Sequence, residues 1–315
     1  MSVRNILYSR LNNGTQYFNL ARDLAWMNQK NEEITTRDGH VFGYIVNVKV
    51  HGTVANTLSF GTAPNSWKMR NAFRKWHAYR DMMFADAGVT DSEKGRYGKT
   101  IRPYLSAGMK SGDIRAPFAY VDDPASGTVN SGEWSYTQIA AAPGFDEAAV
   151  GTEGAAAVDV YDLNILGENQ VSTTTTLGTQ YYSAVGMIHS YNQDRQEVVT
   201  PSVDAETVEG HNNPLALLRY KGTSGGEVMT IVEDQELEKP PYDIADNGVS
   251  ATLTSIAELM QINPGWNGSD SIPVVRTGQL FVPAGLFSLY TTSADNGGTI
   301  LLEVVGKVLC KDMEM

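Results

Sequence analysis

The string Gly95-Arg96-Tyr97-Gly98-Lys99-Thr100 ends in the Gly-Lys-Thr of a phosphate-binding loop, in which backbone N–H groups and a lysine cradle phosphate oxygens. That motif needs its first glycine at position 93, where the chain has Glu93, and the flanking segments do not give strand, loop and helix in order. Nucleotide binding is therefore not expected. Histidines stand at 40, 51, 77, 189 and 211 with no HxxxH spacing and no His/Cys cluster, so no zinc site is expected and each reads as structural. Asp122-Asp123 and the group from Glu233 to Glu238 hold carboxylate pairs of the kind that do acid–base work or take a weakly held calcium ion. No nucleophile or base is spaced to match them, and carboxylates in loops are most often solvated. Cys310, the single cysteine, lies in an apolar pattern where burial outranks reactivity. The expectation is a protein that is not an enzyme, with no catalytic residue, no cofactor and no metal.

One cluster points to binding instead. Lys68, Arg70, Arg74, Lys75 and Arg80 fall within a single segment, and the basic run continues to Arg102. Such a face suits phosphates of nucleic acid, lipid headgroups, or carboxylates on a second copy of the chain; a solvated helix face is the plain alternative. Charge along the chain favours the second copy. Residues 1–120 carry 17 Lys and Arg against 9 Asp and Glu, a balance of +8, whereas residues 121–315 carry 7 against 27, a balance of −20. The five cations are candidate inter-subunit contacts, with the acidic half of a neighbour as their complement. An acidic majority and the lack of a basic N-terminal arm speak against direct contact with nucleic acid.

The element that must carry these cations is a helix. Asn65 or Ser66 can cap its start; Met69, Ala72, Phe73, Trp76, Tyr79, Met83 and Phe84 recur at spacings of three and four; Gly88 supplies a left-handed stop. The spacing predicts one long amphipathic helix near residues 65–87, covering the end or flank of a sheet. A shorter helix is predicted from Thr15 to near Asn31, after a turn at Asn12-Asn13-Gly14. Most of the remainder reads as strand: VFGYIVNVKV from Val41, TVANTLSF as its neighbour across His51-Gly52, TIRPYLS, IRAPFAYV, EWSYTQIAA, AVDVYDLNIL and YYSAVGMIHSY. SIPVVR, QLFVPAGLFSLYTT and TILLEVVGKVLC close the chain, with a turn at Asn296-Gly297-Gly298. PLALLRY offers a short helix, and the segment ending in EKPPYD is ambiguous between strand and helix.

At 315 residues two domains are expected, divided near Gly167 into 1–167 and 168–315. One cysteine excludes an intrachain disulfide and fits folding in a reducing cytoplasm. No signal peptide and no membrane-length apolar run are seen, so Asn13-Gly14-Thr15 and Asn267-Gly268-Ser269 read as turns, not glycan acceptors.

The strings NLARDLAWMNQKN, APNSWKMRNAFRKWHAYRDMMF, EKPPYD, VPAGLFSLYTT and LLEVVGKV, set in a tandem β-pattern, resemble the double jelly-roll major capsid proteins of icosahedral viruses. The likeness is to those of small single-stranded DNA phages with an internal membrane, of the Flavobacterium-infecting lipid-containing phage type. The resemblance implies a mainly β chain of two tandem jelly-roll barrels, eight-stranded sandwiches, with the amphipathic helix inserted in the first. It further implies homotrimers that form pseudo-hexagonal capsomers of an icosahedral shell, made in the host cytoplasm and located in the virion. The implied partners are copies of the chain, minor capsid or vertex proteins, and headgroups of an internal membrane. The alternative is a β-rich carbohydrate-binding or receptor-binding spike protein; an enzyme on a β-sandwich scaffold is the third reading.

Overall fold

The computed structural model describes residues 4–52, 58–90, 92–95, 100–118, 132–140, 160–172, 181–196, 257–262, 274–291 and 295–313. In chain order they form β1 (Asn5–Leu11), β2 (Gly14–Asn19), α1 (Leu20–Asn28), β3 (Phe42–Gly52), β4 (Leu58–Thr62), α2 (Trp67–Asp86), α3 (Ala107–Ser111), β5 (Asp113–Ile114) and β6 (Gln138–Ala140). There follow β7 (Val160–Asn164), β8 (Gln170–Ser172), β9 (Tyr181–Gly186), α4 (Met187–Gln196), β10 (Ala257–Ile262), β11 (Val274–Pro283), β12 (Leu286–Thr291) and β13 (Asp295–Leu309), then a single 3-10 turn, Cys310–Met313. The protein is mainly β.

Period-two burial makes the principal sheets. In β3, Tyr44, Val46, Val48 and Val50 are buried while Lys49 between them is exposed, so one face of the strand is core and the other is surface. One sheet has the order β1-β13-β3-β11, antiparallel throughout; the second has the order β10-β4-β12-β2-β5, antiparallel except for the short parallel β2–β5 pair. Their inner faces meet. Tyr8 on β1 stands edge-on to Phe18 on β2 with centroids 4.8 Å apart, and Phe18 stacks on Phe287 of β12 at 4.6 Å.

The first four strands alternate between these sheets, and so do the last four. β13 seats between β1 and β3, β11 lies on the other side of β3, β12 seats between β2 and β4, and β10 lies on the other side of β4. The sandwich is thus closed by both ends of the described chain. Residue 167, where the sequence suggested a domain division, falls in the excursion between β4 and β10, and both sheets join strands from either side of it. Within that excursion a third sheet, β6-β7-β9-β8, carries α4 directly after β9.

The helix predicted near 65–87 is α2. Ser66 Oγ accepts the Met69 N–H at 3.2 Å, and Gly88 turns the chain out with φ +71°. Its apolar stripe, Met69, Ala72, Phe73, Trp76 and Tyr79, is buried on two sides. Towards the sandwich, His77 Nε2 lies 3.1 Å from Thr35 Oγ1 and Asn65 Nδ2 donates to Cys310 O at 3.1 Å. Towards the third sheet, Trp76 Nε1 donates to Met187 O at 3.3 Å and its ring meets Tyr161 edge-on at 6.5 Å.

Several expectations are corrected. The segment from Thr15 is strand as far as Asn19, whose side chain accepts the Arg22 N–H and so starts α1 only at Leu20. Strand pairing to β12 overrides the local helical spacing there. LSF does not pair with β3 but forms β4 in the opposite sheet. MIHSY is helical, as the start of α4. Among the described residues of TIRPYLS and IRAPFAYV, β-structure is confined to bridges at Tyr104 and Phe118 and to Ile114 at the end of β5.

The run QLFVPAGLFSLYTT is two strands in different sheets. Ala284 and Gly285, with φ +55° and +73°, turn the chain between them, and Gly285 N–H donates to Val282 O at 3.2 Å. Asn296-Gly297-Gly298 is not a turn: it lies inside β13, bulging where the pairs Ser9–Thr299 and Leu11–Asp295 fall out of step. PLALLRY, EKPPYD, Asp122-Asp123, the Glu233 to Glu238 group and His211 lie outside the described residues.

Candidate interaction surface on the basic helix

The structure divides the five candidate cations of α2. Lys75 is fully buried and pairs with Asp194 of α4, so its charge is used inside the chain. The sequence carried the signal for this: Lys75 is three residues after Ala72 and four before Tyr79, on the apolar stripe itself. Arg80 is half-buried; its Nη1 donates to Thr100 O and its guanidinium stands 5.5 Å from the centroid of Phe84. Burial and the nearby Arg102 pull its pKa down to about 10, against the opposing pull of Asp81. Lys68, Arg70 and Arg74 are partly exposed on the same helix and keep surface in contact with water. With Arg80, which is also partly exposed, they leave part of the basic face in contact with water, although Arg70 Nη1 is itself buried.

Several of the described groups capable of chemistry have structural contacts. Burial, with Arg80 adding to it, lowers His77 to about 3, so its ring is neutral against Thr35. Burial raises the Cys310 thiol to about 12, which leaves it without thiolate character. Asp162 is buried, takes a hydrogen bond from Gln138 Nε2 at 3.1 Å and pairs with Lys110. Asp23 is pushed up to about 6 by burial, opposed by the Arg22 charge and by hydrogen bonds from Tyr8 and Arg22. Among the described residues no three His, Cys, Asp or Glu side chains converge as a metal site, and no helix is long and apolar enough to cross a membrane.

A second feature was not legible in the sequence. Arg22 lies 4.4 Å from the centroid of Trp26, Arg102 lies 4.0 Å from that of Trp134, and Tyr104 stacks on Tyr136 at 3.8 Å. Asn19 Nδ2 reaches Tyr136 OH at 3.3 Å, and Arg102 Nη2 donates to Asn31 Oδ1 at 2.7 Å. These contacts fasten the segment before β6 to α1 of the sandwich. Apart from Arg22 and Trp26, which stand one helical turn apart on α1, the partners are far apart in sequence and share no period, so spacing could not reveal them. The pentapeptide Gly222-Thr223-Ser224-Gly225-Gly226 has the Gly-x-Ser-x-Gly spacing of a serine nucleophile's turn, but it lies outside the described residues and spacing alone carries little.

Compared with family models, with curated proteins and with solved structures, the chain matches none of them.

Proposed function

We propose that this chain is a viral shell protein, a major capsid subunit whose work is to associate with copies of itself. The observation that carries the reading is the strand order. Eight strands alternate between two sheets, the late strands interleaved with the early ones, and this supports a two-sheet jelly roll of the kind that capsid and lectin domains use. The charge division of the chain, +8 before residue 120 and −20 after it, supplies the complementarity for contacts between copies, and Lys68, Arg70 and Arg74 supply a reachable basic face.

In this reading the sandwich closed by both ends of the chain is the tiling body, and α2, the third sheet and α4 are carried as an excursion from one end of β4. The tandem two-barrel form would instead need the third sheet to be part of a second closed barrel. Trimers forming pseudo-hexagonal capsomers are the assembly expected, with minor capsid or vertex proteins and membrane headgroups as secondary partners. The test is light scattering behind a sizing column, followed by negative-stain microscopy across a range of protein and salt concentrations. Trimers, hexagonal capsomers or shells support the proposal. Monomers under every condition, or glycan-array binding by a species that never assembles, overturn it in favour of a carbohydrate-binding role.

A further inference from the structure

We propose that Lys75 and Asp194 condense into an intramolecular isopeptide bond that fastens α2 to α4. Lys75 Nζ meets Asp194 Oδ2 with the two side chains 0% and 1% exposed. Three other lysine–carboxylate pairs stand in water at one end or both. Lys110 is 48% exposed against Asp162, Asp81 is 58% exposed against Lys94, and Lys307 and Glu32 are 28% and 25% exposed. Arg22 and Asp23 are buried together, but a guanidinium that keeps its proton is no nucleophile. Lys75–Asp194 alone among them joins an amine and a carboxyl from which solvent is excluded.

The surroundings favour neutral groups. Trp76 of α2 is buried and donates to Met187 O at the start of α4; Tyr191 of α4 is buried too, its ring centroid 5.8 Å from Lys75 Nζ and edge-on to Trp67 at 6.4 Å. Holding two opposite charges in such a place carries a desolvation cost that proton transfer from Nζ to the carboxylate removes, giving an amine and a carboxylic acid. Those are the reactive forms. The Nζ lone pair adds to Asp194 Cγ, the C–O bond to the hydroxyl breaks, and that hydroxyl leaves with a proton from the nitrogen as one water. An amide replaces two ions, and no oxidant or other reactant takes part. Fixing the two groups in contact provides the proximity that condensation needs, and exclusion of water disfavours the reverse. The bond would close the chain from Lys75 to Asp194 into a loop containing β5 to β9, tying the third sheet covalently to the long helix.

The test is the intact mass of the full chain measured in denaturant, with tryptic mapping. The expected result is a mass one water below that of the sequence, loss of cleavage after Lys75, and a peptide in which the segments holding Lys75 and Asp194 are joined. Asp194→Asn gives the same final mass as the parent, because its condensation expels ammonia and leaves the same amide. Asp194→Ala restores cleavage after Lys75. The parent chain decides the matter whether or not the variants fold. A mass equal to the full sequence, or a water loss that maps to other peptides, overturns the proposal.

Discussion

The phenol of Tyr8 on β1 donates to the carboxylate of Asp23 on α1 inside the sandwich, where both residues are shut off from solvent. Arg22 Nε donates to the other carboxylate oxygen at 2.8 Å, and Arg22 Nη2 donates to Arg115 O, so one acid joins the first sheet, the first helix and the segment after β5. Burial nevertheless dominates, raising the Asp23 pKa from 3.8 to about 6. A carboxyl whose folded pKa lies above its unfolded value costs nothing when both states are protonated. It costs progressively more as pH rises through the unfolded pKa, reaching a plateau above the folded one. The Asp23→Asn variant, which keeps the shape and one of the two acceptors, should therefore gain on the parent by about 3 kcal/mol as pH rises from about 4 to 7, whatever constant offset the lost acceptor adds. Urea denaturation of both proteins across that window checks this. Parallel stability curves would mean that Asp23 titrates alike in the folded and unfolded chains.

Phe281 of β11 lies across Gly43 of β3, so close that a Cβ on Gly43 would stand 2.1 Å from the ring's Cζ. The ring, which is only partly buried, must swing aside to admit it. Gly43→Ala should lose about 1 to 3 kcal/mol of stability through forced repacking. In a Phe281→Ala background the same change should cost far less, with a coupling of about 1 kcal/mol or more. Thermal or chemical unfolding of the four proteins of the cycle measures it; additive losses would refute steric opposition between the two residues.

These two contacts show where the sequence was readable and where it was not. The period of β3, the Asn12-Asn13 turn with Gly14 at φ +94° and the full course of α2 with both caps followed from local spacing, because each depends on residues within a turn or two of one another. What local spacing could not supply was partnership. Leu301 and Leu302 read as a strand, but nothing in them says that β13 seats between β1 and β3. The residues from Thr15 to Asn19 read as the start of a helical pattern and are strand because β12 lies beside them. The spacing of Lys75 puts it on the apolar stripe, but nothing in that spacing names Asp194 of α4 as its partner.

Ser66 is buried, and its hydroxyl satisfies an N–H at the start of a 20-residue helix that packs against both the sandwich and the third sheet. Ser66→Ala should lower stability by about 1 kcal/mol, whereas Ser66→Asp should restore most of the loss because its carboxylate can accept the same N–H and faces the positive end of the helix. Unfolding curves read by helical circular dichroism discriminate the two. Equal losses in both variants would place the cost in packing of the hydroxyl and not in the cap.

The division of the basic helix gives the last prediction. If contacts between copies use the reachable cations, replacing Lys68, Arg70 and Arg74 together with Glu should leave the monomer folded and weaken self-association by about tenfold or more, an effect that grows as ionic strength falls. Lys75→Ala should act differently, because removing one partner of a buried pair strands Asp194: the protein should lose about 3 kcal/mol or more of stability, and added salt should not restore it. Sedimentation velocity at several salt concentrations, paired with unfolding curves, separates an association defect from a folding defect. Unchanged association in the triple variant would remove α2 from the contacts between copies and leave its partly exposed cations as a solvated face.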